Sequence, residues 1–154
     1  MLGTIGEKHR MESTVIADAV NLASRLESLT KRYVVGILIS HDTFSRLDAA
    51  NQYYCRFVDR VRVKGKKIVV SLYEIYDHES QAQIELKQQT TARFLEAVDY
   101  YTTGNFDQAV ILFQEILQKN PDDLVIKFYV ERCQRYQQYG APLNWLGVEE
   151  IQEK

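Results

Sequence analysis

Asn21 and Arg25 stand four residues apart in the segment Val20-Asn21-Leu22-Ala23-Ser24-Arg25-Leu26. On a helix, that spacing puts an amide and a guanidinium on one face. The amide can hold a ribose hydroxyl, and the planar fork of the guanidinium can hold phosphate oxygens. Lys64 follows in Val63-Lys64-Gly65, where a point charge on a long stem beside a flexible glycine can reach a terminal phosphate. By residue type alone, Asn21 and Arg25 most often make a solvated helix face, so the elements that carry them matter.

Asp18 reads as the N-cap of a helix running to about Lys31. Ala19, Leu22, Leu26 and Leu29, with Val20 and Ala23 beside them, form its apolar side. Gly3 to Gly6 and Met11 to Ile16 read as strands before it, and the near-absence of lead-in at Gly3 suggests a fragment. Val34 to Ser40 predicts a buried strand and His41 to Leu47 a short helix. Arg56 to Lys64 and Ile68 to Tyr76 alternate at the strand period around Gly65-Lys66-Lys67, which predicts a β-hairpin with Lys64 near its tip. Arg60, Arg62, Lys64, Lys66 and Lys67 then mark a solvent face of the hairpin in preference to an RNA surface, because no stacking aromatics accompany them in a recognised module.

The stretch Met11 to Glu27, with its Val-Asn-x-Ala-x-Arg-Leu core, and the later Val63-Lys64-Gly65 resemble the second catalytic half of the class III nucleotidyl cyclases. The resemblance covers residues 3 to about 76, with two separated motifs in the family's order. It implies an α+β fold in which residues 1–78 are the C-terminal half of a ferredoxin-like adenylate/guanylate cyclase domain. It also implies the chemistry: the ribose 3′-oxygen of ATP attacks the α-phosphorus, giving 3′,5′-cyclic AMP and diphosphate. By the family's pattern, Asn21 orients the ribose, Arg25 stabilises the transition state, Lys64 binds phosphate and Thr14 reads the purine. Thr14 fits the adenine of bacterial adenylyl cyclases, whereas guanylyl cyclases tend to have Cys there.

Two departures qualify the resemblance. Ala17 stands where the family usually has Gly, so the turn into the helix is strained if it needs positive φ. The family's two metal-binding aspartates and its purine-contacting lysine belong to the half that precedes residue 3. The Mg2+ or Mn2+ ligands are therefore expected outside these residues, Asp18 matches neither metal position, and this chain alone is expected to be inactive. Because the family builds its active site between two domains, a second cyclase domain, as in a homodimer, is the implied partner. The alternatives are a cyclase-like module without turnover, whose tail recruits another protein, and a guanylate cyclase.

Beyond Asp77-His78-Glu79-Ser80-Gln81, which reads as a linker, the composition changes. Residues 1–78 hold 12 basic and 9 acidic side chains, net +3, and residues 79–154 hold 7 and 12, net -5. Ile84 to Thr102 and Asp107 to Lys119 predict two helices around Thr103-Gly104-Asn105. Ala97, Tyr100, Gly104, Phe106, Ala109, Phe113 and Pro121 fall at tetratricopeptide (TPR) positions. Residues 79–154 are thus expected to form an all-α, TPR-like helical hairpin tail, with Asp122 to Tyr139 opening a further unit and Asn144 to Glu153 forming a last, covering helix. A lone repeat cannot bury its apolar face, so it must pack on the α/β part, on a partner or on another copy. Tyr100, Tyr101, Phe106 and Phe113 read as repeat core, and Tyr129, Tyr136 and Tyr139 as further core or as a protein-binding groove. The tail is expected to dock and to supply no catalytic group.

The whole chain of 154 residues carries a net charge of -2 with 45% hydrophobic residues, which excludes a disordered chain and a global field for nucleic acid. The longest apolar run, Val34 to Ile39, is far short of the ~20 residues of a membrane span. With no signal-peptide pattern the expected setting is cytoplasmic. Cys55 and Cys133 lack metal-site spacing and read as free thiols, and His9, His41 and His78 show no ligand spacing either.

Overall fold

The computed structural model describes residues 26–33, 35–46, 53–63 and 67–151. Residues 26–33 are helical. They are followed by β1 (Ile37–Ser40), α1 (His41–Arg46), β2 (Cys55–Val63), β3 (Val69–Ile75), α2 (Gln81–Thr102), α3 (Phe106–Lys119), α4 (Leu124–Tyr139) and β4 (Glu149–Ile151). The protein is a mixed α+β structure with a four-stranded sheet in the order β1-β3-β2-β4.

The alternation of residues 56–76 produces the β2–β3 hairpin, which is antiparallel, and β1 adds antiparallel to β3. Leu72, Glu74 and Tyr76 bury one face of β3, while residues between them stay half-covered. The β2–β3 register shifts between Phe57 and Asp59. An extra residue at such a bulge turns neighbours off the two-residue alternation, and Val58 and Asp59 are both fully buried.

The linker is a short pinned turn. The Tyr54 N–H donates to Asp77 Oδ1 at 2.6 Å, and Ser80 caps α2 by accepting from the Gln83 N–H at 3.2 Å. Asn105 caps α3 in the same way, accepting from the Gln108 N–H after a turn in which Gly104 takes φ 84°. A left-handed residue there costs glycine little. The three helices pack in chain order, α2 on α3 and α3 on α4. Their buried side chains Phe94, Ala97, Tyr101, Ala109, Phe113 and Tyr129 join Leu29, Tyr33, Leu38, Val58 and Leu72 of the sheet half in one hydrophobic core. Of the three ways to cover the apolar face of these helices, the chain uses its own sheet.

The predicted last helix is not formed. Residues 140–148 are irregular and Glu149–Ile151 is a strand parallel to β2, with Val61 opposite Glu149 and Val63 opposite Ile151. Pro142, and positive φ at Gly140, Asn144 and Gly147, break a helical path, and the open edge of β2 supplies the hydrogen bonds that a short helix would have made internally. Trp145 and Ile151 do cover the end of the helices, as expected, whereas Leu143 and Leu146 are exposed. The Trp145 indole donates to the Tyr101 carbonyl at 2.8 Å and stands edge-on to the Tyr101 ring. Tyr129 and Tyr136 are buried core, so only Tyr139 keeps the exposure that a groove would need. Among the described residues no helix is long and apolar enough to cross a membrane.

Candidate active site

Thr14, Asn21, Arg25 and Lys64 lie outside the described residues, as do Ala17, Asp18 and Gly65. The structure describes what their segments are attached to. Leu26, the residue after Arg25, begins the described helix, and Val63, the residue before Lys64, ends β2. Leu29 and Tyr33 are buried along that helix, with Leu26 packed beside them, so the two described residues of the apolar stripe read from the sequence, Leu26 and Leu29, face the core. The helix ends where the Val35 N–H donates to the Thr30 carbonyl. Gly36 then passes so close to His78 that a Cβ would fall 2.4 Å from the ring.

Two buried polar networks join these supports to the helical tail, and neither was read from the sequence. In the first, Asp59 of β2 is the hub. Its Oδ2 accepts from the Tyr33 hydroxyl and from Arg132 Nη1, the latter at 2.8 Å, while Oδ1 accepts from the Arg60 N–H at 2.8 Å. The Tyr129 hydroxyl donates to the Val58 carbonyl at 2.6 Å beside it. Arg132 Nε also lies 3.6 Å from Glu149 of β4, whose Oε1 accepts from the hydroxyls of Tyr101 at 2.5 Å and Tyr136 at 2.6 Å. Burial raises the Tyr33 hydroxyl pKa, with Asp59 adding to it, and pushes that of Tyr136 up to about 12 with help from Glu149. These phenols stay protonated and donate. Burial by itself would lower the pKa of Arg132, but Asp59 together with Tyr33, Tyr101 and Glu149 outweighs it and the guanidinium is held charged.

The second network centres on Arg56. Its Nε donates to Glu74 at 2.8 Å, and its two Nη groups grip Asp123 at 2.7 and 2.9 Å. Lys87 of α2 donates to Glu74 at 3.0 Å and to Glu79 at 2.7 Å. Asp123 sits at the N-cap of α4 yet makes no capping bond, because Arg56 takes both its oxygens. One signal was available for Arg132: it lies three residues after Tyr129 and four before Tyr136, on the stripe α4 must bury. At the exposed edge, Arg62 pairs with Glu150 at 2.7 Å, in keeping with a solvent-facing basic strand.

Among the described residues no group of three or more His, Cys, Asp or Glu side chains is arranged to hold a metal ion. Asp59, Glu74, Asp123 and Glu149 are all engaged by cations or hydroxyls. These residues do not fit a divalent cation site. The Cys133 thiol is buried and pushed up to about 12, which makes it a core residue and no nucleophile.

Val20 to Leu26 and Val63 to Gly65, which flank the described helix and the end of β2, are the motifs that resemble those of the nucleotidyl cyclases. The chain belongs to the adenylate and guanylate cyclase catalytic domain family, which it matches over residues 1–77. It is 35% identical over 134 residues, 86% of its length, to the terminal-differentiation-specific adenylate cyclase of Dictyostelium discoideum. It is also 45% identical over 76 residues, 49% of its length, to an adenylate cyclase of Anabaena cylindrica, and 29% identical over 75 residues to adenylate cyclase 1 of Rhizobium meliloti. The chain spans 6%, 15% and 11% of the lengths of these three relatives. No solved structure matches the chain.

Proposed function

We propose that this chain is the nucleotide-gripping part of an adenylate cyclase that converts ATP to 3′,5′-cyclic AMP and diphosphate. The observation that carries this reading is the family match over residues 1–77, within which the two motifs stand in order. Asn21 holds the ribose, so that its 3′-oxygen attacks the α-phosphorus as diphosphate departs. Arg25 stabilises the charge that develops on the phosphoryl oxygens, Lys64 holds the terminal phosphates, and Thr14 accepts from the adenine 6-amino group. The family's divalent cation, Mg2+ or Mn2+, finds no ligand set among the described residues, and no step is assigned to it here. A second cyclase domain completes the site, and a cytoplasmic setting follows from ATP as substrate. The likeness of α2 and α3 to a TPR hairpin belongs to the same proposal, with exposed Tyr139, Leu143 and Leu146 as the surface left for a protein partner.

The test is Arg25→Ala in the full-length cyclase that contains this segment. The expected result is a kcat lowered at least a hundred-fold with the KM for ATP changed far less, because the guanidinium acts on transition-state charge. An unchanged kcat would remove Arg25 from the chemical step, and failure of the unaltered protein to form cyclic AMP would overturn the reading in favour of a non-catalytic module. Turnover of GTP in place of ATP would favour a guanylate cyclase and remove Thr14 from base selection.

A further inference from the structure

We propose that Arg132 of the helical tail is a positioning residue for the cyclase site: through Asp59 and Tyr33 it fixes the helix whose preceding residue is Arg25. The proposal rests on the function proposed above, and it gives the tail a part in turnover that the sequence did not suggest. Tyr33 closes the described helix and has no solvent exposure. Its hydroxyl is held by Asp59 Oδ2 on one side, and Arg132 Nη2 lies 3.4 Å away on the other. Its ring sits 5.6 Å from Phe128 and 5.9 Å from the Arg132 guanidinium. Both Asp59 oxygens are occupied, Oδ2 by helix and tail, Oδ1 by its own strand and by the Tyr129 hydroxyl of the tail at 3.3 Å. The carboxylate therefore ties together three elements that the chain separates by up to 99 residues.

Apolar packing of Leu26 and Leu29 is non-directional and lets a helix slide or roll. A buried hydroxyl with a fixed donor and acceptor does not, because any roll breaks directional bonds in a low-dielectric site. Residues 26–33 form just over two helical turns, so fixing Tyr33 fixes where Leu26 begins and where the chain from Arg25 enters. A displacement of about 1 Å at a reacting group costs roughly a hundred-fold in rate, so the clamp acts on kcat.

Tyr33→Phe, which removes one oxygen and keeps the ring, is the decisive variant in the full-length cyclase, with Arg132→Leu and Arg132→Lys beside it. Tyr33→Phe is expected to lower kcat about ten-fold or more, to leave the KM for ATP within about two-fold, and to raise amide hydrogen exchange in residues 26–33 but not in α3. Arg132→Lys should restore part of what Arg132→Leu loses. If Arg132→Leu does not fold, Tyr33→Phe and Arg132→Lys carry the test. Wild-type kcat and exchange in both would overturn the proposal. Arg25→Ala, run in parallel, separates the two readings. If it leaves turnover intact, the role proposed for Arg25 fails and the exchange of residues 26–33 alone decides the clamp. If it abolishes turnover while Tyr33→Phe and Arg132→Lys do nothing, only the clamp is wrong.

Discussion

Arg132 faces two buried carboxylates, Asp59 at 2.8 Å and Glu149 at 3.6 Å, with its own side chain almost without solvent exposure. Removing one partner of a buried ion pair leaves the other charge desolvated and unpaired, which costs about 3–5 kcal/mol. Arg132→Leu should therefore lower the unfolding free energy read from a urea titration by about that amount. Adding Asp59→Asn should cost less than the sum of the two single changes, because the second change removes the orphaned charge. Asp123 makes a pH prediction. Burial alone would raise its pKa, but the hydrogen bonds and charge of Arg56 outweigh that and hold the carboxyl below its ordinary value. Its stabilising contribution is present above the unfolded value of about 3.9 and is lost as pH falls through the lower folded value, since the unfolded chain takes up the proton first. Thermal unfolding followed from pH 6 to pH 2 should fall more steeply in the natural protein than in Asp123→Asn below about pH 4. Equal slopes would deny Asp123 that role.

Among the elements, β4 is the least expected and the most easily tested. Three residues pair with the end of β2, and the approach to them turns at Gly147, where φ is 78°. A Cβ there would stand 2.8 Å from the Thr102 side chain and 3.0 Å from its Cα. Backbone strain and the close contact act together, so Gly147→Ala should destabilise by about 1–3 kcal/mol. Faster amide exchange at Glu149–Ile151 with helices α2 and α3 still protected would place the damage at the strap. A loss spread evenly over the protein would show instead that β4 unfolds only with the whole. Either way, Glu149 brings its carboxylate to Tyr101 and Tyr136 only because β4 pairs where it does.

At the scale of the molecule, helices and sheet share one core, and two ionic networks cross between them. The sequence suggested a tail whose removal spares the chemical step. In the structure, removal of residues 79–154 bares Tyr33, Val58 and Leu72 and strips Arg56 of Asp123 and Asp59 of Arg132. Residues 1–78 by themselves should then bind a hydrophobic dye and lose cooperative unfolding. A soluble, cooperatively folding fragment would show that the sheet half stands alone. The Dictyostelium relative matches across 134 residues, well past the 77 of the family domain, which accords with a tail that travels with the sheet.

What the sequence determined by itself is what local spacing encodes. The alternation of residues 56–76 led to the hairpin, and Ala97, Phe106, Ala109 and Phe113 packed as core. Thr14, Asn21, Arg25 and Lys64 lie outside the described residues, so the roles proposed for them rest on the motifs in the sequence. Only the tertiary structure decided the rest. Arg56 and Asp59 read as ordinary strand charges until partners 67 and 73 residues away desolvate and pair them. Glu149–Ile151 is too short to show a strand period, and its conformation comes from the free edge of β2. A periodic pattern records which face a segment buries, but what lies against that face is fixed by packing and by the pairing of buried charge, interactions that no local window contains.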